Sequence, residues 1–253
     1  MIQSKLQKLT IFSTIALLTF SVLSNAAETV DVKKILDYSD RTRGGIKGGL
    51  EWDVTLQSWE NDDESVREFK VKLKDNDSYV ESLKPAKNKG EVMLFNTRSL
   101  WFYKPALSKP IAISARQKLT GVASNGDIAS TAYARDYEGK FDKIEVINNE
   151  ECYLLHLKSV AKDTTYDKID YWISKKSGLG LKSNFLSLSG KIMKTASFVY
   201  KNKVKIDGKE YPFISEMTIV DAKNPKIKSV LTYNSPILKS QPDSLFKINN
   251  LIR

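Results

Sequence analysis

From Leu50 onward the sequence alternates with a period of two, and this limits the fold more than any other feature. Leu50, Trp52, Val54 and Leu56 are interleaved with Glu51, Asp53, Thr55 and Gln57. That is the pattern of a half-buried strand. The polar run Asn61-Asp62-Asp63-Glu64 follows, and then Phe69, Val71 and Leu73 alternate with Lys70, Lys72 and Lys74. The two runs and their turn predict a hairpin. Further strands are predicted at 79–83, 91–95, 100–103, 141–147, 152–159, 168–173, 179–188, 193–201, 213–220 and 228–233. Turn residues separate most of them: Asn88-Lys89-Gly90, Asn148-Asn149, Ser189-Gly190, Asp207-Gly208 and Asn224-Pro225. Around a dozen short strands at roughly 8 to 12 residue spacing predict an antiparallel sheet that must curl or close. With one polar and one apolar face, that sheet is expected to be single and strongly curved.

Two helical pieces interrupt the pattern. In DVKKILDYSDR, residues 31–41, Val32, Ile35, Leu36 and Ser39 share one face. The helix is expected to stop at Arg43-Gly44-Gly45. A second, helix-like piece is expected at 127–134, after the polar turn Asn125-Gly126-Asp127. Both are free to cover the concave side of the sheet. No linker, repeat or low-complexity tract divides residues 27–253, so one domain is expected there.

The first 26 residues have the layout of a cleaved secretory signal. Lys5 and Lys8 precede an apolar run from Leu9 to Leu23, and Ser24-Asn25-Ala26 supplies small residues for cleavage. Removing Lys5 and Lys8 from the net charge of +10 leaves +8, spread along the chain without a like-charge block. A basic surface favours anionic partners, and export argues against nucleic acid. The single Cys152 allows no internal disulfide, which suits a bacterial periplasm better than eukaryotic secretion.

Catalytic apparatus is sparse. The one histidine, His156, shares a predicted strand with Cys152, but the two are ~13 Å apart at about 3.3 Å per residue. A Cys/His nucleophile pair needs hydrogen-bond reach. No Gly-x-Ser-x-Gly elbow is present, and one His with one Cys does not make a zinc site. The glycines of Arg43-Gly44-Gly45-Ile46-Lys47-Gly48-Gly49 stand between a helix and a strand, the reverse of a phosphate loop. No enzyme activity, cofactor or metal is expected.

Aromatic residues are the remaining candidates. Residues 99–137 open with Trp101-Phe102-Tyr103, cross Lys104-Pro105, and end in the polar turn before the second helical piece. Curved sheets of this size often leave an interior that side chains do not fill, and such a space can hold a ligand. Alternation along a strand makes the three rings two-sided. The sequence assigns Trp101 and Tyr103 to the cavity and Phe102 to the other face.

The chain resembles the LolA-like family of periplasmic outer-membrane lipoprotein-sorting proteins. The resemblance runs through Ser39-Asp40-Arg41 and Arg43-Gly44-Gly45, Trp52, residues 90–95, and Trp101-Phe102-Tyr103-Lys104-Pro105. It continues through Gly126-Asp127-Ile128-Ala129, Asp136-Tyr137, Tyr153-Leu154-Leu155, Tyr166, Trp172, Ser189-Gly190-Lys191 and Pro242-Asp243-Ser244-Leu245-Phe246. It implies an incomplete, half-open β-barrel with helices over its concave face. It also implies carriage of an acyl-bearing cargo, a lipoprotein or another lipid, from an inner-membrane transporter toward an outer-membrane acceptor. In carriers of this family an arginine near the first strand helps to hold the lid closed, and Arg41 and Arg43 stand just before that strand here.

The expected function is therefore a monomeric periplasmic carrier. Trp52, Val54, Trp101, Tyr103 and Trp172 are its candidate cavity or rim contacts. Ile35, Leu36, Arg41, Arg43, Asp127 and Ile128 are its candidate lid residues. The alternative from a different class is an accessory protein that docks on an inner-membrane transporter without carrying lipid.

Overall fold

The computed structural model describes residues 30–252 apart from 97, 98, 130, 131 and 162. The predicted signal segment lies outside the described residues. Helix α1, Val32–Arg41, is capped by Asp31, whose carboxylate accepts the Lys34 N–H at 3.0 Å. At its other end the Thr42 hydroxyl donates to the Ser39 carbonyl at 2.7 Å. These bonds satisfy groups that a helix end leaves open. The chain then turns through Gly49, where φ is +101° and an added Cβ would lie 2.5 Å from the Lys239 carbonyl oxygen. Only glycine fits that approach.

The first half of the sheet is a meander: β1 (Leu50–Glu60), β2 (Asp63–Lys74), β3 (Asp77–Lys84), β4 (Val92–Asn96), β5 (Ser99–Tyr103) and β6 (Ile111–Ile113). A small ribbon of β7 (Lys118–Thr120) and β8 (Ala123–Ser124) follows, with two short helices, α2 (Asn125–Ala129) and α3 (Tyr133–Asp136). The second half comprises β9 (Tyr137–Ile147), β10 (Glu150–Ser159), β11 (Lys168–Ser174), β12 (Gly180–Leu186) and β13 (Ile192–Val199). The hairpin β14 (Asn202–Ile206) and β15 (Lys209–Phe213) leaves the sheet, and β16 (Glu216–Asp221) and β17 (Lys228–Leu238) return to it. Two 3₁₀ turns, Asp243–Phe246 and Ile248–Asn250, end the chain.

Thirteen strands pair antiparallel in the order β6-β5-β4-β3-β2-β1-β17-β16-β13-β12-β11-β10-β9. Neither β6 nor β9 finds the other, so the curved sheet stays open, as the sequence pattern and the family resemblance together implied. The predicted strand 213–220 is corrected. Phe213 ends the β14–β15 hairpin, and the main sheet resumes only at Glu216, after a break at Ile214 and Ser215.

The main core lies on the concave face. Leu50, Trp52, Val54 and Leu56 of β1 pack beside Phe69, Val71 and Leu73 of β2, with Leu36 of α1, Ile128 of α2 and Tyr133 of α3 in the same cluster. Two smaller clusters lie apart from it. One joins Tyr79, Val92, Leu94 and Tyr103 to Phe246 and Leu251 of the C-terminal segment. The other holds Cys152, Leu154 and Trp172. No helix among the described residues is long and apolar enough to cross a membrane.

Candidate functional site

A groove of about 340 Å³ opens on the concave side, within the ~300–1,000 Å³ of small-molecule sites. Its floor is apolar: Phe69 of β2, Val80 of β3, Met93 of β4 and Phe102 of β5. Ile111 and Ile113 of β6 and Leu119 of β7 complete the apolar lining. Strand alternation puts these side chains in one layer, because Phe102 pairs with Met93 and Ile111 across the ladder.

One end of the groove is polar. Arg67 continues the inward-facing series of Phe69, Val71 and Leu73, and Ser82 continues that of Val80. Arg67 Nη2 lies 3.3 Å from Glu91 Oε2, with both side chains under one-fifth exposed. Glu91 Oε1 accepts from Asn88 Nδ2 at 2.9 Å. The guanidinium also sits 4.9 Å from the Phe69 ring centroid. Burial pulls the Arg67 pKa down from its ordinary value, against the opposing pull of Glu91. Arg67 Nε and Ser82 Oγ are buried without a hydrogen-bond partner. A group left in that state costs ~1–3 kcal/mol.

Beside the groove, the helices are fastened by buried polar groups. Asp40 of α1 accepts the Ala134 N–H of α3 at 2.8 Å, while Arg43 Nη2 donates to its other oxygen at 3.1 Å. Arg43 lies 4.1 Å from the Tyr133 ring centroid and 5.6 Å from that of Tyr171. Ser39 and Tyr171 share a hydroxyl hydrogen bond of 2.7 Å. Asp127 of α2 accepts the Ser124 N–H at 2.7 Å and the Tyr166 hydroxyl at 2.8 Å. Burial, more than any other influence, raises the Asp127 carboxyl above its ordinary value. The helices over the concave face are thus tied to the sheet through ionisable groups, not through apolar contact alone.

The candidates drawn from the sequence are not gathered at one place. Trp52 and Val54 lie in the main core, with Trp52 edge-on to Phe213 at 5.6 Å. Tyr103 and Trp101 pack against the C-terminal segment with Phe246 and Leu251. Trp172 lies beside Cys152, donates Nε1 to Glu145 at 2.7 Å, and carries Lys182 over its ring at 4.6 Å. None of these five lines the groove. The expected orientation of the aromatic run is reversed, since Phe102 faces the groove and Trp101 and Tyr103 face away. The reason is that both faces of β3–β5 are apolar, so alternation alone does not tell inside from outside.

Of the lid candidates, Leu36, Arg43, Asp127 and Ile128 are buried, Ile35 packs against the main core and Arg41 is exposed. Arg67, Ser82 and Glu91 were not singled out by the sequence reading, and Phe102 was assigned to the opposite face. One signal was available, namely a charged residue at 67 in phase with three core positions. His156 is exposed on β10, with Nδ1 2.7 Å from Asp170 and Nε2 3.4 Å from Asp142, while Cys152 is fully buried. Among the described residues no three His, Cys, Asp or Glu side chains converge as a metal site would require.

An open antiparallel half-barrel, with short helices pinned in its concavity and an apolar groove beside them, defines a class of ligand-enclosing folds rather than a filled sandwich. Comparison gives the family. A LolA superfamily protein from Nitrosomonas europaea is 30% identical over 87% of this chain and 99% of its own, with a TM-score of 0.77. The chain belongs to the LolA superfamily. A family model described as "uncharacterized protein" also matches residues 74–253. The same fold is found in a DUF1329 family protein from Desulfovibrio piger, at 19% identity over 87% of this chain and 97% of that one, TM-score 0.71. It is found too in a domain from Vibrio parahaemolyticus that bears the name of outer membrane lipoprotein-sorting proteins, at 20% identity over 87% and 98%, TM-score 0.70. No curated protein sequence matches the chain significantly.

Proposed function

We propose that this protein is a periplasmic carrier that shelters an acyl chain of a lipid or lipoprotein in the groove between β2–β6 and β7. The observation that supports this reading is the groove itself: an apolar floor formed by Phe69, Val80, Met93 and Phe102, left unfilled in a LolA superfamily fold. An acyl chain in water is unfavourable by ~0.8 kcal/mol per CH₂, and transfer into an apolar space removes that penalty. Carriage needs no catalytic group. Release needs an opening, and α1, α2 and α3 are the elements whose movement would widen the concavity.

In this reading the protein works as a monomer between an inner-membrane donor and an outer-membrane acceptor. The test is equilibrium binding of a fluorescent acyl probe to delipidated protein, with mass spectrometry of lipid that co-purifies from the periplasm. Saturable binding abolished by bulky substitution at Met93, together with a recurrent acyl species, supports carriage. Absence of both sinks it and leaves docking without lipid as the surviving reading.

A further inference from the structure

Building on the carrier reading, we infer that the groove selects acyl chains whose head is a neutral carbonyl, an ester or an amide, and that Arg67 and Ser82 receive it. The apolar floor ends at two buried polar atoms without partners, Arg67 Nε and Ser82 Oγ. Each can donate a hydrogen bond, and an acceptor oxygen at the end of a bound chain would satisfy both. Both residues line the groove, so the two donors stand at its polar end.

Charge decides which acceptor. Among the described residues two cations line the groove, and both are already neutralised. Arg67 pairs with Glu91 at 3.3 Å, and Lys118 donates to Glu60 at 2.6 Å. A free carboxylate at the polar end would bring a second anion beside Glu91 in a poorly solvated space, where like charges repel strongly. An ester or amide carbonyl takes the same two hydrogen bonds without that repulsion. A chain with no acceptor leaves both donors unsatisfied. Arg67, Ser82 and Glu91 are thus specificity-determining residues: two supply donors, and the third excludes free fatty acids.

The experiment is displacement of bound N-phenyl-1-naphthylamine from the full-length exported protein at pH 7.5. Three probes of equal chain length are compared: N-methyldecanamide, decanoate and 1-chlorodecane. The amide is expected to displace at about tenfold lower concentration than either of the others. Ser82→Ala should narrow the gap between amide and chlorodecane, and Arg67→Met should do the same. Glu91→Gln should bring decanoate toward the amide. Each comparison is a ratio of ligands on one protein, so a variant of lowered stability still reports. Decanoate binding as tightly as the amide to the wild type overturns the inference, as does an amide-to-chlorodecane ratio unchanged in Ser82→Ala. Equal binding of all three removes the head-group selectivity and leaves carriage standing. Displacement by none of them overturns carriage and this inference together.

Discussion

The Arg43 guanidinium lies 4.1 Å from the centroid of the Tyr133 ring, on the residue that begins α3. The same guanidinium bonds Asp40 near the end of α1, so one buried cation touches both helices. Replacing Arg43 by Met strips Asp40 of its charge partner. Breaking a buried pair on one side costs ~3–5 kcal/mol. Denaturant unfolding of Arg43→Met should show a loss of that order, and Asp40→Asn combined with Arg43→Met should recover part of it. Equal losses in the single and double variants would contradict the pairing.

Asp40 also predicts a pH dependence. Burial is the largest influence on its carboxyl, and it outweighs Arg43 and the backbone amides, raising the pKa from 3.8 to about 6. Between those values the folded protein holds a proton that the unfolded chain has released. Stability from this group is therefore greatest below about pH 4 and falls as pH rises through about 6, by ~3 kcal/mol in all. Melting temperatures from pH 4 to 7 should decline less steeply in Asp40→Asn than in the wild type. Glu51, whose pKa is lowered, acts in the opposite sense in both proteins and cancels from the comparison.

Gly180 permits the close fit of Tyr171. A Cβ there would lie 1.8 Å from the Tyr171 hydroxyl oxygen and 2.3 Å from Cζ. Tyr171 is fully buried, and its hydroxyl is held by Ser39, so it has little room to move. Gly180→Ala should destabilise by ~1–3 kcal/mol through overpacking. Adding Tyr171→Phe removes the nearest atom of the clash, so the double variant should lose less than the two singles combined. Additive losses in thermal unfolding would refute the steric account.

Phe102 and Trp101 are neighbours with different tasks. Phe102→Ala should weaken acyl-probe binding about five- to thirtyfold, the equivalent of ~1–2 kcal/mol of lost apolar contact. Trp101→Ala should leave binding nearly unchanged and loosen the segment carrying Phe246 and Leu251, read as faster proteolysis near the C-terminus. Binding lost more in Trp101→Ala than in Phe102→Ala would return the cavity to the opposite face.

These two residues also mark how far the sequence could be read. Strands β1 and β2 were legible because polar and apolar residues alternate over 50–57 and 69–74, and Asp31 with Val32, Ile35 and Leu36 outlined α1. Along β3–β5 the alternation carries no sign. Tyr79, Val92, Leu94 and Trp101 form one apolar layer, and Val80, Met93, Phe95 and Phe102 form the other. Burial on both faces follows from the C-terminal 3₁₀ turns, whose short irregular pattern gave no period to detect. The polar end of the groove was hidden for another reason. Arg67 is separated from Glu91 by a whole strand, so only the β2–β3–β4 pairing brings them within reach.

The order of the sheet has a consequence for how the chain is assembled. Every strand from β1 to β6 pairs with its neighbour in sequence, and so does every strand from β9 to β13. The two runs meet only where β1 pairs with β17, and Ser58 and Ser229, 171 positions apart, share a 2.9 Å hydroxyl hydrogen bond there. The first strand to be synthesised must therefore wait for the last before it gains its second partner. Until then the molecule is two ribbons, each with a bare border that another chain could claim.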